Sequence, residues 1–223
     1  MTSKERVRRA ISHRAPDRVP VGFEATPAVV NRLLREKNCR NFDGLAAYYQ
    51  IDICDCHPDY IGGRTKVWKE VDIALAQSIY GGEVRLKDNG GETHSVMHRY
   101  PFSEQTTVKD ILSFDWITPD DFDYESVKRK CGAHEDKALI FGHEGPFQIA
   151  TFMMEMSDLF SKMMLEPETA KALFDRFVQF ELEFYERILI AGDGQIDIMR
   201  PHDDYGTQQS LLFSPALFEE FFS

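Results

Sequence analysis

The chain has 223 residues, 43% of them hydrophobic and 12% aromatic, which is enough for one sizeable domain with an apolar core. Its formal net charge of −11 argues against partners such as nucleic acid, which needs a basic surface, and against an anionic membrane surface. No stretch approaches the ~20 apolar residues of a membrane span, and no apolar run of a signal peptide follows the charged N-terminus. The four cysteines lack disulfide-framework spacing, so we expect reduced thiols and a cytoplasmic location.

Periodicity and capping residues predict helices that alternate with short strands along the first half of the chain. A capping box of Thr2 and Glu5 opens the first helix, and Thr26-Pro27 begins the second. In order, the predicted elements are a helix over 2–12, a strand over 19–24, helices over 26–34 and 43–49, and a strand over 51–56. Between about 62 and 101, Gly-Gly pairs separate short candidate strands at 83–86 and 93–98, which predicts a β-hairpin insertion.

The second half of the chain repeats the order of strand, polar loop and helix. A short helix and a second helix flank the stretch 119–125, which we interpret as a solvated loop. Further predicted elements are a strand over 138–142, helices over 147–156, 157–164 and 166–191, and a strand over 195–199. Ser214-Pro215 begins the last helix, because serine caps a helix and proline fits its first turn.

Four such strand–loop–helix passages predict an α/β protein with a parallel sheet and helices outside it. A closed (β/α)8 TIM barrel needs eight passages and ~250 residues, so we expect the N-terminal portion of a barrel, as one domain over 1–223. Enzymes of this class place their chemistry at the C-terminal ends of the strands. An incomplete barrel leaves a sheet edge unpaired, and a homodimer would bury that edge.

Titratable residues cluster at the end of the predicted strand over 195–199, which is the fourth strand outside the hairpin insertion. Arg200, His202, Asp203 and Asp204 follow it directly. Paired carboxylates beside a histidine suit proton transfer, cation binding or support of a metal ligand, so we predict Asp203 and Asp204 as catalytic and His202 as substrate-binding. The alternative is that both aspartates make turn and helix-entry hydrogen bonds.

Two further strand ends carry candidate site residues. His143 and Glu144 follow the third strand, and we predict His143 as a general acid or base and Glu144 as substrate-binding. The alternative for His143 is hydrogen bonding to the backbone at the strand end. Glu24 follows the first strand and is predicted to bind substrate, with a structural pairing to a nearby lysine or arginine as the alternative.

A weaker metal-binding pattern lies in the second predicted strand. Cys54 and Cys56 would place both sulfur atoms on one face of the strand, next to His57. Without a second cluster of ligands this pattern is weak, and we favour small core residues over a metal site.

Four segments taken together resemble the uroporphyrinogen decarboxylase superfamily. They are RRAISHRAPDRVPV, TVKDILSFDWITPDDFDYE, FGHEGP with the helix after it, and AGDGQIDIMRPHDDYGTQQSLLFSPALFEEFF. The resemblance implies a (β/α)8 barrel with one of two activities, which are decarboxylation of a porphyrinogen and zinc-dependent methyl transfer to or from a corrinoid protein.

Several residues depart from the decarboxylase pattern of that superfamily. Glu24 stands where an arginine-bearing loop would hold substrate carboxylates, and like charges repel. Phe152 replaces the active-site tyrosine, and Asp204 replaces a serine. The family's aspartate after the second strand matches Asp59 and is predicted to bind substrate, with Asp55 as its competitor. These departures favour the methyltransferase-like branch.

That branch implies a zinc site built from a His-x-Cys pair and a later cysteine, all beyond Ser223, so we expect no metal ligands in this chain. It also implies a small-molecule substrate and a corrinoid protein as partner. We therefore expect corrinoid-linked methyl transfer or demethylation by the complete enzyme. Uroporphyrinogen decarboxylation is the alternative, and a non-catalytic fragment or scaffold that a partner completes is the second alternative.

Overall fold

A computed structural model describes residues 1–70, 73–88 and 93–222 of the chain. The helices are α1 Ser3–Ile11, α2 Pro27–Glu36, α3 Phe42–Tyr48, α4 Val108–Ser113, α5 Tyr124–Ala133, α6 Pro146–Met153, α7 Met156–Leu165, α8 Pro167–Gly192 and α9 Pro215–Phe222. The strands are β1 Ile53–Asp55, β2 Asp59–Tyr60, β3 Val67–Glu70, β4 Ile73–Gln77, β5 Glu83–Asp88, β6 Thr93–Arg99, β7 Phe122–Asp123, β8 Ala138–Phe141 and β9 Ile198–Met199. The predicted helices are confirmed, with small shifts at their ends.

A parallel sheet with the strand order β1-β8-β9 positions the polar strand ends. Ile53 lies opposite Ala138, and Ile140 lies opposite Ile198. Long helical connections separate the three strands, as parallel pairing requires. The predicted α/β architecture is therefore confirmed for this sheet, while the described residues do not close it into a barrel.

The predicted strand over 19–24 is wrong, although that segment runs beside β1. The N–H of Asp52 donates to the carbonyl of Val21 at 2.8 Å, but the N–H of Val21 donates to the Asp52 carboxylate instead of a neighbouring strand. Pro20 has no N–H to give. Pro20 and Val21 therefore give no N–H to a ladder with β1, and the segment forms no strand.

A second sheet occupies the segment for which the sequence predicts a hairpin insertion. Its strands β3, β4, β5 and β6 are antiparallel and follow one another in chain order. The turn between β4 and β5 carries Tyr80 and Gly81, whose φ of +91° favours glycine. Tyr80 stacks on Phe152 of α6 with a centroid distance of 6.3 Å, so this turn packs against the main body. The predicted glycine pair at 90–91 lies outside the described residues.

The stretch 119–125 is ordered by packing, so the prediction of a solvated loop is wrong. Pro119–Asp121 forms a short 3-10 helix, and β7 then pairs antiparallel with β2. The ring of Phe122 lies 4.7 Å from that of Phe184 between centroids. One aromatic residue within an acidic run therefore anchors the segment to α8.

Helix α8 links two clusters of buried side chains that form the core. The first cluster lies among α4, α6, α7 and α8, and the second lies between β8, α5 and the C-terminal half of α8. The two clusters include Trp116, Phe147 and Phe177 on one side and Val127, Phe141 and Phe184 on the other. In the described ranges, no helix has both the length and the apolar character needed to cross a lipid bilayer.

Helix α1 closes the end of the parallel sheet opposite the strand ends that carry the candidate site. Its Lys4 and Arg8 lie 3.3 Å and 2.6 Å from the carboxylate of Asp197, whose side chain is 1% exposed. The same carboxylate accepts the N–H of Leu139 at 2.9 Å. A buried acid next to β9 thus holds the first helix of the chain.

A second buried acid, Asp52, fixes the segment before β1. Its carboxylate lies 2.7 Å from Arg6 and 2.6 Å from Arg18, and the side chain is fully buried. Burial alone raises the pKa of Asp52, but hydrogen bonds from Arg18, Val21 and other donors outweigh burial and lower it to about 2. Arg6 also lies 2.6 Å from Asp17.

Candidate functional site

A pocket of about 540 Å³ lies at the C-terminal ends of β1 and β8. Its wall is formed by Gly22, Phe23, Glu24, Ala25, Val30, Phe42, Ile53, Asp55, His57, Ile140, Phe141, Gly142 and Arg200. Apolar side chains cover most of it, and a few titratable groups stand among them. Pockets that combine apolar walls with a few polar groups are typical of small-molecule sites.

Asp55 and His57 form a hydrogen-bonded pair in this pocket. The Nδ1 of His57 lies 2.5 Å from Oδ2 of Asp55, and its backbone N–H donates to Oδ1 at 3.1 Å. The Nε2 of His57 contacts the carbonyl oxygen of Gly142 on the next strand. Nδ1 thus faces a carboxylate, whereas Nε2 faces both the carbonyl oxygen and the backbone N–H of Gly142, the latter at 3.3 Å.

The pair also shifts the protonation of both groups. Burial lowers the pKa of His57, but the hydrogen bond and the charge of Asp55 outweigh burial and raise it above its usual value. Burial raises the pKa of Asp55, and the His57 hydrogen bond outweighs this effect and lowers it. Each group of the pair therefore favours the charged form of the other.

Glu24 and Arg200 form a second pair across the pocket. Nη1 of Arg200 lies 3.4 Å from Oε2 of Glu24, and the two side chains are 54% and 82% exposed. The backbone of Arg200 is fixed because its N–H donates to the carbonyl of Phe141 at 2.8 Å. A Cβ on Gly142 would collide with the carbonyl oxygen of Arg200, so glycine is required for this approach.

Asp203 caps helix α6. Its carboxylate accepts the backbone N–H groups of Phe147 at 2.9 Å and Gln148 at 2.8 Å. Its Oδ2 lies 2.5 Å from where a Cβ would stand on Gly145, which explains the glycine there. Asp204 is exposed and accepts the N–H of Gly206 at 3.3 Å. Both aspartates make the turn and helix-entry hydrogen bonds that the sequence offers as their alternative role, and neither lines the pocket.

His143 points away from the pocket, towards α8. Its Nε2 lies 2.9 Å from the hydroxyl of Tyr80, and its Nδ1 lies 3.3 Å from Glu181 and 3.0 Å from the carbonyl oxygen of Glu144. The side chain is 9% exposed. Tyr80, His143 and Glu181 therefore form a buried polar chain between the antiparallel sheet, the end of β8 and α8.

The remaining predicted site residues lie around the pocket rather than in it. Asp59 pairs with Lys130 at 2.7 Å on the outer surface, whereas its competitor Asp55 lines the pocket. Glu144 and His202 form an isolated parallel bridge between the strand-end loops. Of the predicted site residues, Glu24 alone is among the described residues of the pocket wall.

The cysteines do not supply a metal site. Burial raises the pKa of Cys54 to about 11 and that of Cys56 to about 12, so both stay protonated thiols. The Sγ of Cys56 lies 3.3 Å from the carbonyl oxygen of Ile140 inside the core. Across 1–70, 73–88 and 93–222, no three His, Cys, Asp or Glu side chains converge to hold a metal ion. Zinc ligands beyond Ser223 stay a prediction.

Comparison with known proteins gives a fold and no family. No protein-family model matches this chain, and no curated protein matches it. A solved structure of a methyltransferase from Methanosarcina mazei is similar, with a TM-score of 0.60 and 15% sequence identity. The match covers 100% of this chain and 64% of that chain. This chain therefore shares its fold with about two thirds of the length of a methyltransferase.

Proposed function

We propose that this chain forms part of the substrate site of a methyl-transferring α/β enzyme that exchanges a methyl group with a corrinoid protein. The observation that carries the proposal is the pocket at the ends of β1 and β8, with its Asp55–His57 pair, in a fold shared with a methyltransferase. Substrates of parallel α/β folds bind at these strand ends.

The charges of the pocket favour this activity over decarboxylation of a porphyrinogen. Glu24 and Asp55 each stand beside one of the two cationic groups that line the described wall, Arg200 and His57. A porphyrinogen carries several carboxylates and needs an excess of positive charge. Phe152 stacks on Tyr80 without a hydroxyl of its own, so the decarboxylase tyrosine has no replacement at that position.

His57 is the proposed proton donor. A corrinoid bound beside the pocket would supply the nucleophile that takes up the methyl group, and the substrate oxygen that loses the methyl group would then take up one proton. The raised pKa of His57 favours the protonated ring that can supply this proton. A substrate oxygen that replaces the Gly142 carbonyl as the acceptor at Nε2 receives this proton, while Asp55 stabilises the imidazolium.

The test is anaerobic incubation of the full chain with cob(I)alamin and a panel of methyl donors, beginning with methanol and anisole. We expect protein-dependent methylcobalamin, identified by chromatography, and a rate about 100-fold lower in His57→Gln. Arg129→Gln is the control, because Arg129 lies on α5 and pairs with Asp123. Equal rates with and without protein, or equal rates for His57→Gln and the parent, would contradict the proposal.

A further inference from the structure

We propose that Arg200 binds one carboxylate of the substrate and that Glu24 occupies this position while the pocket is empty. The inference deepens the proposed function only in that it takes the pocket at the ends of β1 and β8 as the substrate site. The substrate class that follows is a monocarboxylate with an apolar body.

Arg200 has the capacity for this exchange. Only one guanidinium nitrogen, Nη1, contacts Glu24, at 3.4 Å. A guanidinium carries five N–H donors in a fork that fits a carboxylate with two parallel hydrogen bonds. A substrate carboxylate makes two such bonds. They replace the single 3.4 Å contact between Arg200 and Glu24 and are stronger than it.

The two partners of the pair differ in how firmly the fold holds them. The backbone of Arg200 continues the β9 edge through its hydrogen bond to Phe141, and its carbonyl packs against Gly142. Glu24 lies in a segment without a β ladder, and its side chain is 82% exposed. Exposed ion pairs of this kind change an equilibrium by a factor of about two to five. Glu24 is therefore the partner that moves aside.

The residues of the pocket wall indicate the chemistry of the rest of the ligand. Phe23 and Phe42 lie 6.0 Å apart between ring centroids, with Ile53 and Ile140 on the sheet below. The charge of His57 is balanced by Asp55 at 2.5 Å. Arg200 is thus the cation, among the described residues of the wall, whose carboxylate partner is both weakly held and replaceable.

The probes are benzoate and its neutral analogue benzamide, titrated into the full chain by calorimetry. We expect benzoate to bind at least about tenfold more tightly than benzamide. Arg200→Gln should remove this preference. Glu24→Gln should raise the affinity for benzoate by about two- to fivefold, because it removes the internal competitor.

Matched variants control for net charge. Arg129→Gln and Glu125→Gln make the same charge changes in exposed ion pairs of α5, and we expect benzoate affinity to stay within about twofold. The proposal requires opposite effects on benzoate affinity, an increase in Glu24→Gln and a decrease in Arg200→Gln. If both variants weaken benzoate, Glu24 supports Arg200 structurally and the proposal is wrong. Equal binding of benzamide, or no benzoate binding at about 10 mM, overturns it as well.

The cobalamin assay separates this inference from the proposed function. Methylcobalamin formed without the benzoate pattern would overturn the carboxylate position and leave methyl transfer standing. The benzoate pattern without methylcobalamin would remove methyl transfer and leave the carboxylate position standing.

Discussion

The guanidinium of Arg6 reaches the carboxylate of Asp52 at 2.7 Å, in a place where the acid is fully buried and the arginine side chain is 9% exposed. Asp52 immediately precedes β1, and Arg6 lies on α1. Both charges of a buried ion pair lose their hydration, and their mutual attraction offsets this cost. Removal of one partner therefore leaves a buried charge without compensation. The pair therefore ties the first helix to the first strand of the parallel sheet.

Loss of the Asp52 charge should destabilise the whole domain. We expect Asp52→Asn to lower the free energy of unfolding by about 3–5 kcal/mol, because Arg6 and Arg18 lose the negative charge of their shared partner. Urea denaturation followed by circular dichroism measures the change. Glu36→Gln, which removes an exposed partner of Arg32, should cost less than about 0.5 kcal/mol. A cost for Asp52→Asn as small as that of the control would rule out this role.

Protonation of the Asp52 carboxylate at low pH should also destabilise the protein. The pKa of Asp52 is lowered from 3.8 to about 2, so its contribution to stability is present above about pH 4 and is lost as pH falls towards 2. We expect stability to fall through this window in the parent chain and to fall less steeply in Asp52→Asn. Denaturation curves at a series of pH values test this, and parallel slopes for the two proteins would contradict it.

Asp203 offers a test that separates capping from catalysis. Asp203→Ala should lower the free energy of unfolding by about 1 kcal/mol, since two N–H groups at the start of α6 lose their acceptor. Asp203→Asn keeps an acceptor oxygen and should cost less. In the cobalamin assay a capping residue leaves the rate of Asp203→Asn near that of the parent. A loss of about 100-fold would support the catalytic role that the sequence predicts.

The Asp55–His57 pair predicts a measurable titration. In Asp55→Asn the negative charge that raises the pKa of His57 is gone while burial remains, so we expect that pKa to fall. Proton NMR of the imidazole ring measures it, with assignment from the signal lost in His57→Gln. Asp43→Asn, beside His134 at 3.8 Å, should leave His57 unchanged.

The same pair has a defined effect on stability. Because the folded pKa of His57 lies above its usual 6.5, the pair adds stability below pH 6.5 and loses it as pH rises through the folded pKa. Asp55→Asn should remove this part of the pH dependence. An unchanged His57 titration in Asp55→Asn would show that Asp55 does not act on the ring.

The local spacing of apolar residues predicts where the helices lie better than it predicts which of their faces are buried. The apolar residues at helical spacing over 166–191 predict the length of α8, and Phe177 and Ile188 among them are buried. Leu182 shares that spacing and is 67% exposed, while Phe184 lies outside it and is buried. Which side of a long helix meets the sheet depends on its partners, and the local pattern does not contain that information.

The sequence predicts a site at the strand ends, and the structure has a pocket there whose wall includes one of the predicted site residues, Glu24. Along β8, Ile140 and Gly142 line the pocket, whereas Phe141 also packs against α8 and His143 turns to that helix. Alternate residues of a strand point to opposite faces, so an uncertainty of one residue in register exchanges the two sets. The roles of the predicted site residues stay untested, and of the two competing aspartates Asp55 lines the pocket while Asp59 does not.

The ion pairs of Asp197 with Lys4 and Arg8 set an order of events during synthesis. The acid lies 193 and 189 residues after its two partners, so these contacts of α1 wait for the segment that leads into β9, the last strand described. Contacts of such large sequence separation form late, because a long loop must close first. Before Asp197 emerges, the Arg6–Asp52 ion pair can hold α1 to the start of β1, but the contacts of α1 with β9 are still missing.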